Sequence, residues 1–167
     1  YELVINPKMS FGTGHHQTTH MMLEFGLEEA FNGKKILDMG CGTGVLAILA
    51  SMKGAVSVDA IDLDPWCIEN ASENAQKNEC SNITCSLGSS LTTNAPIYDL
   101  IFANINRNVL LEQIPSYNRV LIEGGVLLLS GFYRADISSL KACCEAQGFT
   151  YVEEKQKEAW CALKFMK

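Results

Sequence analysis

The 167-residue sequence has no apolar run of the ~18–20 residues a membrane-crossing helix needs; a typical apolar run, Val126 to Leu129, is strand-sized. It opens without the basic and apolar regions of a signal peptide, so a cytoplasmic protein is expected. Basic residues are few, 13 against 19 acidic, for a net charge of −6. That balance excludes a dedicated nucleic-acid binder, whose affinity comes from Lys and Arg displacing counterions, and leaves room for a basic protein partner. Cys-x-x-Cys pairs are absent, and the seven cysteines are odd in number with Cys143 and Cys144 adjacent. A disulfide framework and a zinc knuckle are therefore excluded, and free, mostly buried thiols in a reducing compartment are expected. Repeats and low-complexity tracts are missing too. With 47% hydrophobic and 19% charged residues, what remains is one ordinary globular domain.

Short apolar runs alternate with amphipathic ones. A helix is expected over Thr18–Phe31, stopped by Asn32-Gly33, with Thr18 or Thr19 as its cap. Strands are expected at Lys35–Met39, Val56–Ile61, Ile83–Ser86, Tyr98–Ala103 and Val126–Ser130, the last introduced by Gly124-Gly125. Helices are expected at Val45–Lys53, from Pro65 to Asn78, at Val109–Val120 with a distortion at Pro115, and at Ala135–Gln147. Phe149–Lys155 and Trp160–Phe165 form a closing pair with too little chain between them for a crossover, hence antiparallel. The fold class is α/β: a Rossmann-like, doubly wound, seven-stranded sheet, mostly parallel with an antiparallel C-terminal strand.

Chemistry concentrates where the first strand meets the first crossover helix. Asp38 precedes Gly40-Cys41-Gly42-Thr43-Gly44, a turn whose glycines permit sharp reversal and close approach to a ligand. Asp62 closes the next strand, where a carboxylate accepts from both hydroxyls of a ribose. The glycine spacing alone does not decide between dinucleotides and other nucleosides. Charge favours S-adenosylmethionine over NAD, because Asp38 suits an ammonium and a sulfonium and repels a pyrophosphate. Phe11-Gly12-Thr13-Gly14-His15-His16-Gln17-Thr18-Thr19 has the composition of a lid over that cofactor. His16 and His20 have zinc-helix spacing, but Gln17 stands where the protease pattern has Glu, and no metal site is expected. Asn104 ends the fourth strand. Trp66, Trp160, Met21-Met22 and Cys143-Cys144 are read as packing, and Asp64-Pro65 as a helix start.

Taken together, the lid sequence, Asp38 to Ile48, Ile61-Asp62-Leu63-Asp64-Pro65, Ala103-Asn104-Ile105, Ser130-Gly131 and Glu158-Ala159-Trp160 resemble the class I S-adenosylmethionine-dependent methyltransferases. The likeness is nearest to the bacterial family that methylates large-subunit ribosomal protein eleven, and spans Asn6 to Phe165. The resemblance implies cofactor contacts at Thr19, Gly40, Asp62 and Asn104, beside Asp38 and Gly42 from the reading above. It implies trimethylation of N-terminal and lysine amines on that ribosomal protein. It also implies a separate N-terminal recognition domain, which is expected to be absent here, leaving 1–167 as a catalytic domain with a lid at 1–17 and a core at 18–167. Enzymes that methylate planar amides follow the Asn with two prolines and an aromatic residue. Ile105-Asn106-Arg107 departs from that pattern, so a planar amide acceptor is not expected, and the amine acceptor that the resemblance implies is read as oriented by the Asn104 side chain or carbonyl. His15 and His16 are base candidates only through their place in the lid. A small-molecule amine, another protein target and a non-catalytic cofactor-binding module are the alternatives.

Overall fold

The computed structural model describes residues 1–8, 16–92 and 94–167, so Phe11 to His15 of the predicted lid lie outside the described residues. The strands are β1 (Lys35–Met39), β2 (Ser57–Asp62), β3 (Ile83–Leu87), β4 (Tyr98–Asn104), β5 (Leu121–Tyr133), β6 (Thr150–Lys157) and β7 (Trp160–Met166). The helices are α1 (Gln17–Glu28), α2 (Val45–Met52), α3 (Pro65–Lys77), α4 (Arg107–Val120) and α5 (Ile137–Ala146). One sheet carries all seven strands in the order β3-β2-β1-β4-β5-β7-β6, and only β7 runs against its neighbours. The expected fold class is therefore the observed one.

Strand pleating sorts side chains between two layers. Ile36, Leu100 and Phe102 face α1, α2 and α3, while Leu37, Met39, Ile101 and Ala103 face α4 and α5. The strand order reverses between β1 and β4, which opens a crevice at their carboxyl ends.

Among the boundaries that differ from expectation, those of α1 and β5 have a nonlocal reason. The first helix stops at Glu28 rather than Phe31 because the Lys53 ammonium caps it, donating to the carbonyls of Gly26, Leu27 and Glu29 at 2.8, 2.6 and 2.7 Å. β5 starts at Leu121, ahead of the glycine pair, because the chain's last residue pairs there: Gly124 N–H donates to the Lys167 carbonyl (2.7 Å) and Lys167 N–H to that of Gly125 (3.0 Å). α4 continues through Pro115; the Leu111 carbonyl, which has no N–H from Pro115, accepts the Cys143 thiol at 3.8 Å.

Asn70 and Asn74 on α3, with Asn78 at its C-cap, hold a segment ahead of α1. Val4 N–H donates to Asn78 Oδ1 (2.9 Å) and the Asn78 amide returns a bond to the Val4 carbonyl (2.8 Å). Asn6 N–H donates to Asn74 Oδ1 (3.0 Å), and its carbonyl accepts from Asn70 (2.8 Å) and Asn74 (3.3 Å). Leu3 and Ile5 meanwhile pack on the core. Asn74, fully buried, also donates to the Thr43 carbonyl at 3.0 Å, linking this segment to the glycine turn. Asn74→Ala leaves those buried groups unpaired and is expected to cost about 2–4 kcal/mol in urea unfolding, whereas Asn78→Ala at the exposed rung costs about 1 kcal/mol. Equal losses would contradict the bridging role of Asn74.

Candidate functional site

A crevice of about 420 Å³ lies at the switch point, lined by Gly40, Gly42, Asp62, Asp64 and Asn104 among others. Two carboxylates line it, and no Lys or Arg does among the described residues. The Asp62 carboxylate anchors its floor: Oδ2 accepts from Gly42 N–H at 2.9 Å and Oδ1 from Asp64 N–H at 3.0 Å. Asp64 in turn caps α3 through Trp66 N–H at 2.9 Å, with Pro65 at the first position.

Asp38 is not part of the crevice wall. It shares the pleat face of Ile36 and lies under α2, 1% exposed, where Oδ2 accepts from Ala47 N–H at 3.1 Å. The N-cap of α2 is Gly44, which has no side chain to offer, so this carboxylate serves the helix start from below. In dinucleotide-binding folds that helix N-terminus receives the pyrophosphate. Here a carboxyl group already stands there and takes the Ala47 N–H. Burial pushes the Asp38 carboxyl up to about 7, against the lowering effect of Ala47 N–H, and Asp62 adds to the rise.

The loop after β4 is held between two glycines. A Cβ at Gly40 (φ +74°) would run into the Ile105 side chain, and one at Gly131 (φ +97°) into the Ile105 carbonyl. Ile105 N–H donates to the Ser130 carbonyl at 3.1 Å. Close approach therefore fixes the Asn104-Ile105-Asn106 backbone. Asn104 shares the face of Phe102 and so meets α1, where its Nδ2 donates to Thr19 Oγ1 at 3.4 Å. That bond turns Asn104 Oδ1 away from Thr19. Asn104 Oδ1 is one of three buried side-chain oxygens without a partner among the described residues, the others belonging to Asp38 and Asn70.

A second cavity of about 180 Å³ shares the Asn104-Ile105-Asn106 wall and is otherwise lined by His16, Thr18, Gly131 and Trp160. His16 caps α1, a task expected of Thr18 or Thr19: its Nδ1 accepts from Thr18 N–H (3.3 Å) and lies 2.8 Å from Thr18 Oγ1. A ring nitrogen replaces the expected hydroxyl because both threonines are buried inside the first turns.

A family model described as ribosomal protein L11 methyltransferase (PrmA) matches residues 2–167. The chain belongs to this family. The ribosomal protein L11 methyltransferase of Porphyromonas gingivalis is 51% identical over 165 residues, which is 98% of this chain and 57% of that protein. The one from Phocaeicola vulgatus is 46% identical over 167 residues, covering 99% and 59%. This chain thus spans less than two thirds of the length of these relatives. The crystal structure of ribosomal protein L11 methylase from Lactobacillus delbrueckii subsp. bulgaricus aligns with a TM-score of 0.90 at 29% identity, over 98% of this chain and 83% of that one.

Within this PrmA-family chain, the structure gathers Gly40, Gly42, Asp62 and Asn104 on one crevice and places Asp38 and Thr19 behind its wall. Residues 11–15 of the expected lid lie outside the described residues. His20 pairs with Glu24 at 3.1 Å, and no three His, Cys, Asp or Glu side chains converge on a metal position among the described residues. Trp66, expected to pack, is 62% exposed, because capping by Asp64 leaves its ring on the outer side of the first turn of α3. Sequence reasoning missed the bridging by Asn74, although three asparagines four apart on one helix, poor helix formers, were a visible signal. The contact of Tyr133 with Trp160 was missed as well, since only the register of β5 against β7 creates it.

The buried Asp38 carboxyl has a measurable consequence. Its folded value near 7 exceeds the ordinary 3.8, so between those values the folded chain holds the proton more tightly than the unfolded one. Stability therefore falls as pH rises from about 4 through 7. Asp38→Asn removes that dependence. Between pH 5 and 8 the variant is expected to gain about 2–3 kcal/mol relative to the parent, read by urea unfolding at both values. A constant difference between the two proteins would contradict a burial-raised Asp38.

Proposed function

We propose that residues 1–167 form a methyltransferase domain that uses S-adenosylmethionine to methylate amino groups, lysine or N-terminal, of large-subunit ribosomal protein L11. The observation that carries this reading is Asn104 Oδ1, a buried acceptor without a partner, held by Thr19 where the two cavities meet. The family supports the acceptor class. The net charge of −6 suits a basic partner, and the free cysteines suit the cytoplasm.

The crevice fits the cofactor by charge. Asp62 and Asp64 face it, no cation lines it among the described residues, and Asp38 fills the helix start that a pyrophosphate would require. When bound, S-adenosylmethionine supplies an activated methyl group on a sulfonium. The residues of the chain then hold and align. Gly40 and Gly42 leave room along the turn, and Asp62 offers its remaining lone pairs to a ribose. Asn104 Oδ1 accepts from an amine N–H and aims the nitrogen lone pair. Alignment of this kind contributes up to about 7–11 kcal/mol to such a reaction. Val4 and Asn6, strapped to α3 and its C-cap by the asparagines, belong to the segment 1–17 expected to act as the lid.

The acceptor amine must be neutral to attack. No carboxylate lines the second cavity among the described residues, and His16 Nδ1 is committed to capping α1. Among the described residues, then, no base for that proton is named.

Transfer of tritiated methyl groups from S-adenosylmethionine to the ribosomal protein tests the reading. Incorporation into its amines is expected, and none into any amine offered would overturn it. Asn104→Ala is expected to lower kcat by about 10²–10³-fold with the fold intact, and Thr19→Val, which frees the amide to flip, by about tenfold. Unchanged turnover in Asn104→Ala would remove that residue from the reaction.

The pH profile offers a separate check. For an N-terminal amine kcat/KM should rise tenfold per unit and level near pH ~8, whereas for a lysine the rise should continue toward pH ~10. The same plateau for both substrates would assign the titration to a protein group instead.

A further inference from the structure

Trp160 opens β7 directly opposite Tyr133 at the end of β5. The two rings stack at 4.3 Å between centroids, inclined by 29°, and His16 meets Trp160 edge-on at 5.0 Å. None of these three rings lines the cofactor crevice. Trp160 lines the 180 Å³ cavity next to Asn104 and also a neighbouring hollow of about 320 Å³ that includes Tyr133, Arg107 and Asp136.

The charges around this group are already matched. Asp136, the carboxylate lining the hollow, pairs with Arg107 Nε at 3.3 Å and accepts from Tyr133 N–H at 3.0 Å. The cavity beside Asn104 has no carboxylate among its described lining. A primary ammonium, strongly hydrated and needing several acceptors, has little to bind there. A methylated ammonium differs. It sheds N–H donors, is weakly hydrated, and is attracted to the faces of electron-rich rings, Trp above all.

We propose that Trp160, supported by Tyr133 and His16, forms a subsite for methylated ammonium groups, so that the nitrogen, once alkylated, rests against the indole. The proposal rests on the methyltransferase reading above and adds the chemical class that the second cavity selects: tertiary and quaternary ammonium over primary ammonium and over neutral groups of the same shape. The indole is kept in place by stacking from β5 and by the His16 ring at the start of α1, both fixed by elements that also fix Asn104.

A binding measurement tests this without turnover. Trp66→Phe, at an exposed position outside both cavities, leaves Trp160 as the single tryptophan. Nα-acetyl-trimethyllysine amide is titrated into this protein in the presence of S-adenosylhomocysteine, beside the neutral analogue with a tert-butyl carbon in place of the nitrogen. The expected result is saturable quenching of Trp160 emission by the cation, with an affinity at least ~10-fold above that of the neutral analogue. In the parent background, Trp160→Leu should abolish that preference in calorimetry and Trp160→Phe should keep part of it. Equal affinity for cation and neutral analogue, no binding of the cation, or the full preference retained in Trp160→Leu would each overturn the subsite. Selective binding together with no methyl transfer to any amine would overturn the methyltransferase reading and leave the subsite standing.

Discussion

The contact between Asp38 and the first turn of α2 governs what the crevice accepts. A carboxylate with almost no exposure accepts the Ala47 N–H, and it does so where a Rossmann-like fold elsewhere presents its helix N-terminus to phosphate. The helix gains an acceptor that Gly44 is unable to provide. The negative charge that faces the crevice comes from Asp62 and Asp64 at its surface. Burial of such a group is costly, which is why its proton affinity rises. Two compensations follow: the helix start is satisfied, and a cationic nucleoside is favoured over an anionic one.

Around that crevice, positions are set by amides and glycines rather than by charge pairs. Thr19 fixes the orientation of the Asn104 amide, and Gly40 and Gly131 clamp the Ile105 backbone beside it. Asn74 joins the extended N-terminal segment to the Thr43 carbonyl within the glycine turn. Asn6 and the glycine turn are thus connected through the hydrogen bonds of Asn74, and α1 is connected to the acceptor wall through that of Thr19. Such bonds are insensitive to salt and hold geometry closely, as methyl transfer requires.

Much of this was legible in the chain. Apolar strands separated by amphipathic helices specify a parallel sheet, and the glycine turn after Lys35–Met39 with Asp62 at the next strand end specifies the crevice. Pleat alternation places Asp38 with Ile36 and Asn104 with Phe102, so even the direction of those side chains follows from period two. Other features depend on distant partners. The early end of α1 involves Lys53, the early start of β5 involves Lys167, and the Leu111 carbonyl that Pro115 leaves without its N–H meets the Cys143 thiol. The cap at His16 and the exposed Trp66 run against residue-type averages, because a ring nitrogen can replace a hydroxyl and because the first turn of α3 leaves its outer side uncovered. The aromatic group at Trp160 exists only through strand register.

The central claim is that a crevice lined by Asp62 and Asp64, with its helix start already occupied by Asp38, selects a cationic nucleoside. Calorimetric titration of the chain with S-adenosylmethionine and, separately, with NADH measures that selection directly. The account predicts one-to-one binding of S-adenosylmethionine, with NADH weaker by at least about a hundredfold, roughly 2.7 kcal/mol. NADH binding as tightly, or displacing S-adenosylmethionine at equal concentration, would contradict it.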